Sequence, residues 1–341
     1  MAMKALILKE PRCLEYKERP YPICGIDQVT VHVDAVGICG SDIGAILGKN
    51  PMFTFPRVLG HEVAGTVVDV GANVHAMTIG DRVCLMPCIA CGSCHACRRG
   101  HTNSCEALRL YGVHEDGGLQ EFLTAPEVNW IKIPFNAKME EIAIIEPLTI
   151  GAHAVAKLEL CPDDKVLVIG AGPIGTGCAV NAKIYGAKVT LADTSEFRRK
   201  FVSERFHIDV LDPKSYDYEE ALNYITVGEM FDAVIDTTAA KSSMENDWRW
   251  IANGGKIVFV GIYNGKLEIE DLQFHLKEPT LYTTRNSILA DYNRVIQCWQ
   301  RGRINLGDFI SNVVTFNRAA EEIHQWLLPR SSFFKGVVKF P

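Results

Sequence analysis

The stretch Lys165–Gly175, KVLVIGAGPIG, decides how this chain folds. Its first five residues form an unbroken apolar run, the pattern of a strand buried on both faces. A turn with glycines at 170, 172 and 175 follows, and the residues from Ile174 to Tyr185 read as a helix. A G-x-G-x-x-G sequence is weak alone and acquires meaning between a strand and a helix. There Gly170 permits the tight turn, Gly172 lets the backbone approach a pyrophosphate, and Gly175 lets helix and strand pack closely. Pro173 and Ile174 open the helix, whose unpaired N–H groups and dipole favour phosphate. Asp193 stands about twenty residues on, at the end of a second apolar strand, Lys188–Ala192 (KVTLA). A carboxylate there accepts hydrogen bonds from the adenosine ribose and repels a 2′-phosphate, so NAD is expected over NADP. Arg198 and Arg199 argue the other way, since a nearby arginine accommodates that phosphate.

Working outward, a charged helical stretch begins at Ser195, and AVID at Ala233–Asp236 and KIVFV at Lys256–Val260 add further strands. Apolar strands alternating with helical segments predict a doubly wound parallel sheet covered on both faces. The first 150 residues differ: β-branched segments at Val29–Val36, Val63–Val70, Arg82–Met86 and Leu119–Thr124 alternate with turn signals. That texture predicts a partly open β-barrel. The fold class is therefore α/β, with expected divisions at 1–150, 151–290 and 291–341. The last segment ends in GVVKF at Gly336–Phe340 and is expected to return to the first domain.

A formal net charge of -6 argues against nucleic acid as a partner, which wants a concentrated basic face. No apolar run approaches the roughly 20 residues of a membrane helix, and MAMKALILKEP at Met1–Pro11 is too short in its apolar part for a signal peptide. A reducing cytoplasm is therefore expected, in which the 12 cysteines serve as metal ligands or small buried hydrophobes. Four of them, Cys91, Cys94, Cys97 and Cys105, follow C-x2-C-x2-C-x7-C in a lobe of about 88–106. Four thiolates close a tetrahedral shell around one Zn²⁺, which makes that zinc structural. A catalytic zinc instead needs about three mixed donors and an open position. Cys39 in GICGSD, and His61 with Glu62 in GHE, supply sulfur, nitrogen and oxygen.

With these motifs and Glu146-Pro147-Leu148, the chain resembles the zinc-dependent medium-chain dehydrogenase/reductase family, sorbitol dehydrogenase-like branch, over essentially its whole length. Gly112–Gly118 (GVHEDGG) and Thr284–Asn286 are similar to segments of bacterial members that act on sugar acids. The resemblance implies a GroES-like barrel for the catalytic domain and two zinc ions per chain. It places Cys39, His61 and Glu62 at the catalytic zinc, with Glu146 beside it as a ligand or through a water. It places Ile174, Asp193, Arg198, the turn Val260, Gly261 and Ile262, and the segment carrying Arg285 along NAD. Ser41 would relay the proton between the substrate hydroxyl and the cofactor ribose.

Where relatives often carry a histidine and then an aromatic residue, this chain has Gly44 and Ala45, so the outer end of a proton relay is missing. The expected activity is hydride transfer from a secondary alcohol of a hexonate sugar acid to NAD, with Arg285 pairing with the substrate carboxylate. A neutral polyol is the alternative substrate. A non-catalytic NAD-sensing regulator and a zinc-free reductase are the rival readings, and the zinc motifs weigh against both. A homodimer or homotetramer is implied by the resemblance.

Overall fold

KVLVI forms the strand Lys165–Ile169, buried from Val166 on as an unbroken apolar run requires in a parallel sheet. In the computed structural model, which describes residues 2–134, 136–328 and 332–341, this strand lies inside a six-stranded sheet. The order is Val210–Leu211, Lys188–Ala192, Lys165–Ile169, Phe231–Asp236, Ile251–Phe259 and Thr280–Thr283. Every pairing is parallel. The chain winds outward from Lys165–Ile169 in one direction, then from Phe231–Asp236 in the other. The crevice at the carboxyl ends of those two strands is where such sheets bind ligands. Helices Pro173–Ile184 and Glu196–Phe206 follow the first two strands. Pro173 takes the N1 position, where its missing N–H costs nothing. Ser195 caps the second helix by accepting from the Arg198 amide at 3.4 Å.

This sheet belongs to a compact unit spanning Pro147–Ile304. The other unit comprises Met1–Glu146 with Asn305–Pro341. These limits differ from the divisions read from sequence. Helix Leu289–Gln300 stays with the parallel-sheet unit and not with the returning tail, because its first turn is tied to helix Ile145–Ala156. His153 Nδ1 lies 2.8 Å from Asp291 Oδ2, and the hydroxyls of Thr149 and Ser287 are 2.7 Å apart.

In the first unit a seven-stranded sheet runs Trp130–Ile133, Arg82–Leu85, Glu62–Val70, Gln28–Ile38, Gly336–Lys339 and Asn312–Thr315, with Phe122–Pro126 also on Gln28–Ile38. A smaller sheet orders Cys13–Pro20, Ala2–Glu10 and Arg57–Val58. Their inner faces share one core that includes Leu6, Leu8, Val31, Leu59, Val67 and Leu119. The expected strand at Leu119–Thr124 begins only at Phe122, because Leu119 is held elsewhere. Its carbonyl accepts from Leu6 N at 2.8 Å, and its amide donates to Leu59 O at 3.0 Å. The N-terminal hairpin and the edge strand Thr280–Thr283 add strands beyond those that the sequence pattern marks. Among the described residues, no helix is long and apolar enough to cross a membrane.

Candidate active site and metal centres

Two antiparallel strands deliver the mixed donors. Gln28–Ile38 leads into Cys39, which caps helix Gly40–Ile46, and the neighbouring strand starts at Glu62 with Gly37 opposite. Glycine is required at 37, since a Cβ there would sit 2.0 Å from Glu62 Oε2. The missing side chain lets the carboxylate lie across the strand. Donor atoms of Cys39, His61 and Glu62 all fall within 4.8 Å of one another. His61 Nδ1 and Glu62 Oε2 are buried without a hydrogen-bond partner among the described residues. Orphaned buried polar atoms are costly, and a cation would satisfy both. One sulfur, one nitrogen and one oxygen suit a zinc that keeps an open position.

Two residues of this site escaped the sequence reading. Asp42, wholly buried, accepts from Cys39 N at 3.0 Å and lies 3.7 Å from His61 Nδ1. Burial pushes its carboxyl up, against the opposing pull of His61. For His61 burial works against the charge, but Asp42, Cys39 and Glu146 outweigh it and raise the imidazole well above its usual range. Lys335, also buried, donates to Glu62 Oε1 and, at 3.2 Å, to Ile38 O. Burial disfavours this ammonium, and the charges of Glu62 and Cys39 reverse that and raise it. GICGSD could have pointed to Asp42, which sits three residues after Cys39. Nothing near Lys335 marks it.

Glu146 stands in the first turn of helix Ile145–Ala156, outside the group of three donors. Burial pushes it up to about 7, with Glu62 adding to the shift and His61 opposing it. Ser41 Oγ is buried with no partner among the described residues, so it can still give or take a proton. At Gly44 a Cβ would meet nothing closer than Asn50 Cβ, at 3.4 Å, so the space of a larger side chain is open.

The four-cysteine lobe is closed by the short ribbon Cys88–Ile89 with Arg109–Leu110. The sulfurs of Cys91, Cys94, Cys97 and Cys105 lie within 4.8 Å of one another, and Cys94 and Cys105 are 4.0 Å apart. A disulfide would need about 2.05 Å, whereas tetrahedral Zn–S bonds of about 2.3 Å put sulfurs nearly 4 Å apart. Backbone amides of Ser93 and Cys94 hold Cys91 down to about 6. Cys97 is pushed up to about 12, by burial first and then by the neighbouring sulfurs. A dication relieves that crowding of thiolates. Cys88 stays outside the group.

In the parallel-sheet unit, Gly170 has φ +98, and a Cβ on Gly175 would fall 1.8 Å from Gly170 O. Both positions need glycine for the turn to close. Asp193, 7% exposed, accepts from Ala171 N at 2.8 Å and Ser195 N at 2.7 Å, which fastens the end of the second strand to the glycine turn. Arg198 lies 3.5 Å from Asp193 Oδ2 and reaches toward Gly172. Arg199 donates to Asp193 O at 2.9 Å and pairs with Asp212 at 3.0 Å. Both arginines therefore touch Asp193, Arg198 on the side of Gly172 and Arg199 through the backbone carbonyl. The turn Val260, Gly261 and Ile262 follows strand Ile251–Phe259, and Thr284 N donates to Phe259 O at 3.0 Å. Exposed Arg285 comes next on this segment. All these pieces follow parallel strands and so gather at the carboxyl edge of one sheet.

A dinucleotide-binding sheet joined in one chain to a barrel with a mixed-donor cluster and a thiolate lobe defines a metal-dependent oxidoreductase. The chain belongs to the zinc-binding alcohol dehydrogenase family. Residues 25–135 match the alcohol dehydrogenase GroES-like domain and residues 173–301 match the zinc-binding dehydrogenase domain. It is 38% identical over 338 residues to L-galactonate-5-dehydrogenase of Escherichia coli K12, covering 99% of both chains. An alcohol dehydrogenase of Escherichia coli CFT073, solved with NADH, superposes with a TM-score of 0.93 at 29% identity, covering 99% of each chain. A zinc-binding dehydrogenase of Sinorhizobium meliloti, bound to NADP, gives 0.91 at 27% identity, again over 99% of each chain. The chain is thus an enzyme, a dehydrogenase acting on a small molecule.

Proposed function

We propose that this enzyme oxidises a secondary hydroxyl of a hexonate, L-galactonate being the first candidate, with NAD as acceptor. The end-to-end identity to L-galactonate-5-dehydrogenase carries the substrate class. Cys39, His61 and Glu62 would hold the catalytic zinc, with Glu146 nearby, and Cys91, Cys94, Cys97 and Cys105 the structural one. A catalytic zinc supplies Lewis-acid polarisation of the substrate oxygen. Lys335 holds one oxygen of Glu62 and leaves the other facing the donors. Ser41 Oγ accepts the hydroxyl proton and passes it to water, since Gly44 offers no further relay group. Gly170, Gly172 and Gly175 let the backbone approach the dinucleotide pyrophosphate, with Pro173 and Ile174 at the helix start. Asp193 and Arg198 sit beside the adenosine ribose, and Val260, Gly261, Ile262 and Arg285 line the remaining length. Asp193 favours NAD, and the position of Arg198 is what an NADP reading would use. A homodimer or homotetramer in the cytoplasm is the assembly and compartment we propose, on family resemblance.

Arg285 is assigned to the substrate carboxylate, because a guanidinium grips it through two parallel hydrogen bonds that lysine cannot copy. Purified enzyme is to be assayed with hexonates, hexitols and pentitols, using NAD and NADP in turn. Hexonates should exceed the matching hexitols by more than about tenfold, and Arg285→Lys should lower hexonate turnover far more than hexitol turnover. Hexitols turned over equally well would return the substrate to a neutral polyol. An equal loss on both substrates in Arg285→Lys would leave that residue with the cofactor.

A further inference from the structure

A second pair of buried carboxyl groups lies in the parallel-sheet unit, neither of them among the residues assigned above. Asp236 ends strand Phe231–Asp236, and Asp247 opens the 3₁₀ turn Asp247–Trp250; both are wholly buried. Their supply of donors is unequal. Asp236 Oδ1 accepts from Thr238 N at 2.7 Å and from the Thr238 hydroxyl at 2.8 Å, while Oδ2 accepts from Ser243 Oγ at 2.5 Å. Neither oxygen of Asp247 meets a donor among the described residues. Its polar neighbours are the Asp236 carboxylate, within hydrogen-bonding reach, and Ser243, whose proton already goes to Asp236.

A buried carboxylate with no donor, set against another carboxylate, is among the least favourable arrangements a core can hold. Keeping its proton resolves this, because a protonated acid becomes a donor and Asp236 is there to accept. The charged groups on the flanking elements are engaged elsewhere. Lys241 pairs with Glu245 and Glu268, Arg249 with Glu219, and Lys256 donates to Leu158 O. Lys277 donates to the carbonyls of Arg249 and Ile251. Tyr218, from helix Tyr218–Thr226, is the other titratable group near Asp247; it is raised by burial and then by Asp247, and so stays neutral.

Between Asp236 and the Thr238 that its carboxylate holds stands Thr237, which shapes the dinucleotide turn. Thr237 donates through its amide to Ile169 O at 2.9 Å, and its hydroxyl reaches Ile169 O at 3.0 Å and Gly170 O at 3.2 Å. Gly170 and Gly175 are both packed against that hydroxyl. The Asp236 carbonyl accepts from Val260 N at 2.8 Å and Gly261 N at 3.2 Å, and Gly261 packs on Ala239. Residues 236–240 thus brace two cofactor turns at once.

We propose that Asp247 is a positioning residue for the dinucleotide site: as a protonated acid it bonds Asp236 and holds the 236–240 segment against the Gly170 and Gly261 turns. This rests on the dinucleotide reading of those turns. Burial first, and then Asp236, push Asp247 up to about 9. The folded chain therefore keeps a proton that the unfolded chain has lost, so stability falls as pH rises from about 4 to about 9. Above that point the bond is gone, the two carboxylates repel, and the segment loses its anchor.

NADH and NADPH titrations by fluorescence on the full-length zinc-loaded protein, from pH 7 to pH 10, test this. At pH 10 roughly one molecule in eleven keeps the proton, so wild-type affinity for NADH should fall about tenfold between pH 8 and pH 10. Asp247→Asn donates without titrating and should bind with little change over that range. Asp247→Ala should bind weakly at every pH; if it fails to fold, the asparagine variant still decides. Parallel pH profiles for wild type and Asp247→Asn would overturn the inference. If neither dinucleotide binds at pH 7, the cofactor reading itself falls, a separate failure.

Discussion

The two clusters of metal-binding character in the first unit are built on opposite plans. The lobe at Cys91–Cys105 uses one donor type, lies partly exposed, and takes its order from local sequence: amides of Ser93 and Cys94 point at its own sulfurs. The cluster of Cys39, His61 and Glu62 mixes three donor types, and His61 and Glu62 are buried. Asp42 and Lys335 stand around it as counter-charges. A closed thiolate shell needs nothing beyond its four ligands, whereas an open site must have its ligands held from outside. On the function proposed above, the first plan would stabilise the fold. The second would leave a coordination position for chemistry.

This contrast also explains what could be read from sequence. The lobe is a local motif, its four ligands within fifteen residues, and spacing alone defines it. The glycine turn is similarly local, and KVLVI and KVTLA appear as strands over the very residues expected. Supports of the open cluster are not local. Lys335 and Glu62 are 273 residues apart in sequence, and only the pairing of Gly336–Lys339 with Gln28–Ile38 brings them together. The Asp236–Asp247 pair escaped for a related reason. Asp236 reads as the last residue of the strand AVID, and its burial against a second acid follows from how the 3₁₀ turn Asp247–Trp250 packs, which periodicity does not show.

The largest effect should come from breaking the open cluster. Cys39→Ser should lose on the order of 10³-fold or more in kcat/KM, about 4 kcal/mol of transition-state stabilisation, with thermal stability nearly unchanged. Elemental analysis should show close to two zinc ions in the wild type and one in this variant. A fully active Cys39→Ser would end the assignment of that cluster to catalysis.

The converse substitution sharpens the contrast. Cys97→Ser removes one ligand of a closed shell, so the loss should appear as stability, a fall in melting temperature of roughly 5–10 °C. Per folded, zinc-loaded molecule, kcat should stay within a few-fold of wild type. A stable variant with crippled turnover would mean that the lobe acts in chemistry, and the two-plan contrast would collapse.

Lys335 provides the smallest and most discriminating test. Its ammonium is the counter-ion of Glu62 in a site with almost no solvent. Replacing it with methionine leaves a buried carboxylate uncompensated in the metal-free protein, the kind of loss that costs about 3–5 kcal/mol. A dication bound at Cys39, His61 and Glu62 supplies the missing positive charge, so zinc should repair most of that deficit. Linkage then requires the stability gained on adding zinc to be greater in Lys335→Met than in the wild type. The extra gain should be about 1–3 kcal/mol in denaturant unfolding. Lys335→Arg keeps the charge and should behave like the wild type. No equivalent surplus should follow substitution of Arg98, whose side chain donates to Ser93 O in the thiolate lobe, because the sulfurs there need no outside counter-ion. An equal zinc-induced gain in wild type and Lys335→Met would show that Glu62 does not face the metal. The open cluster would then reduce to Cys39 and His61, with Glu146 the nearest remaining candidate for the third ligand.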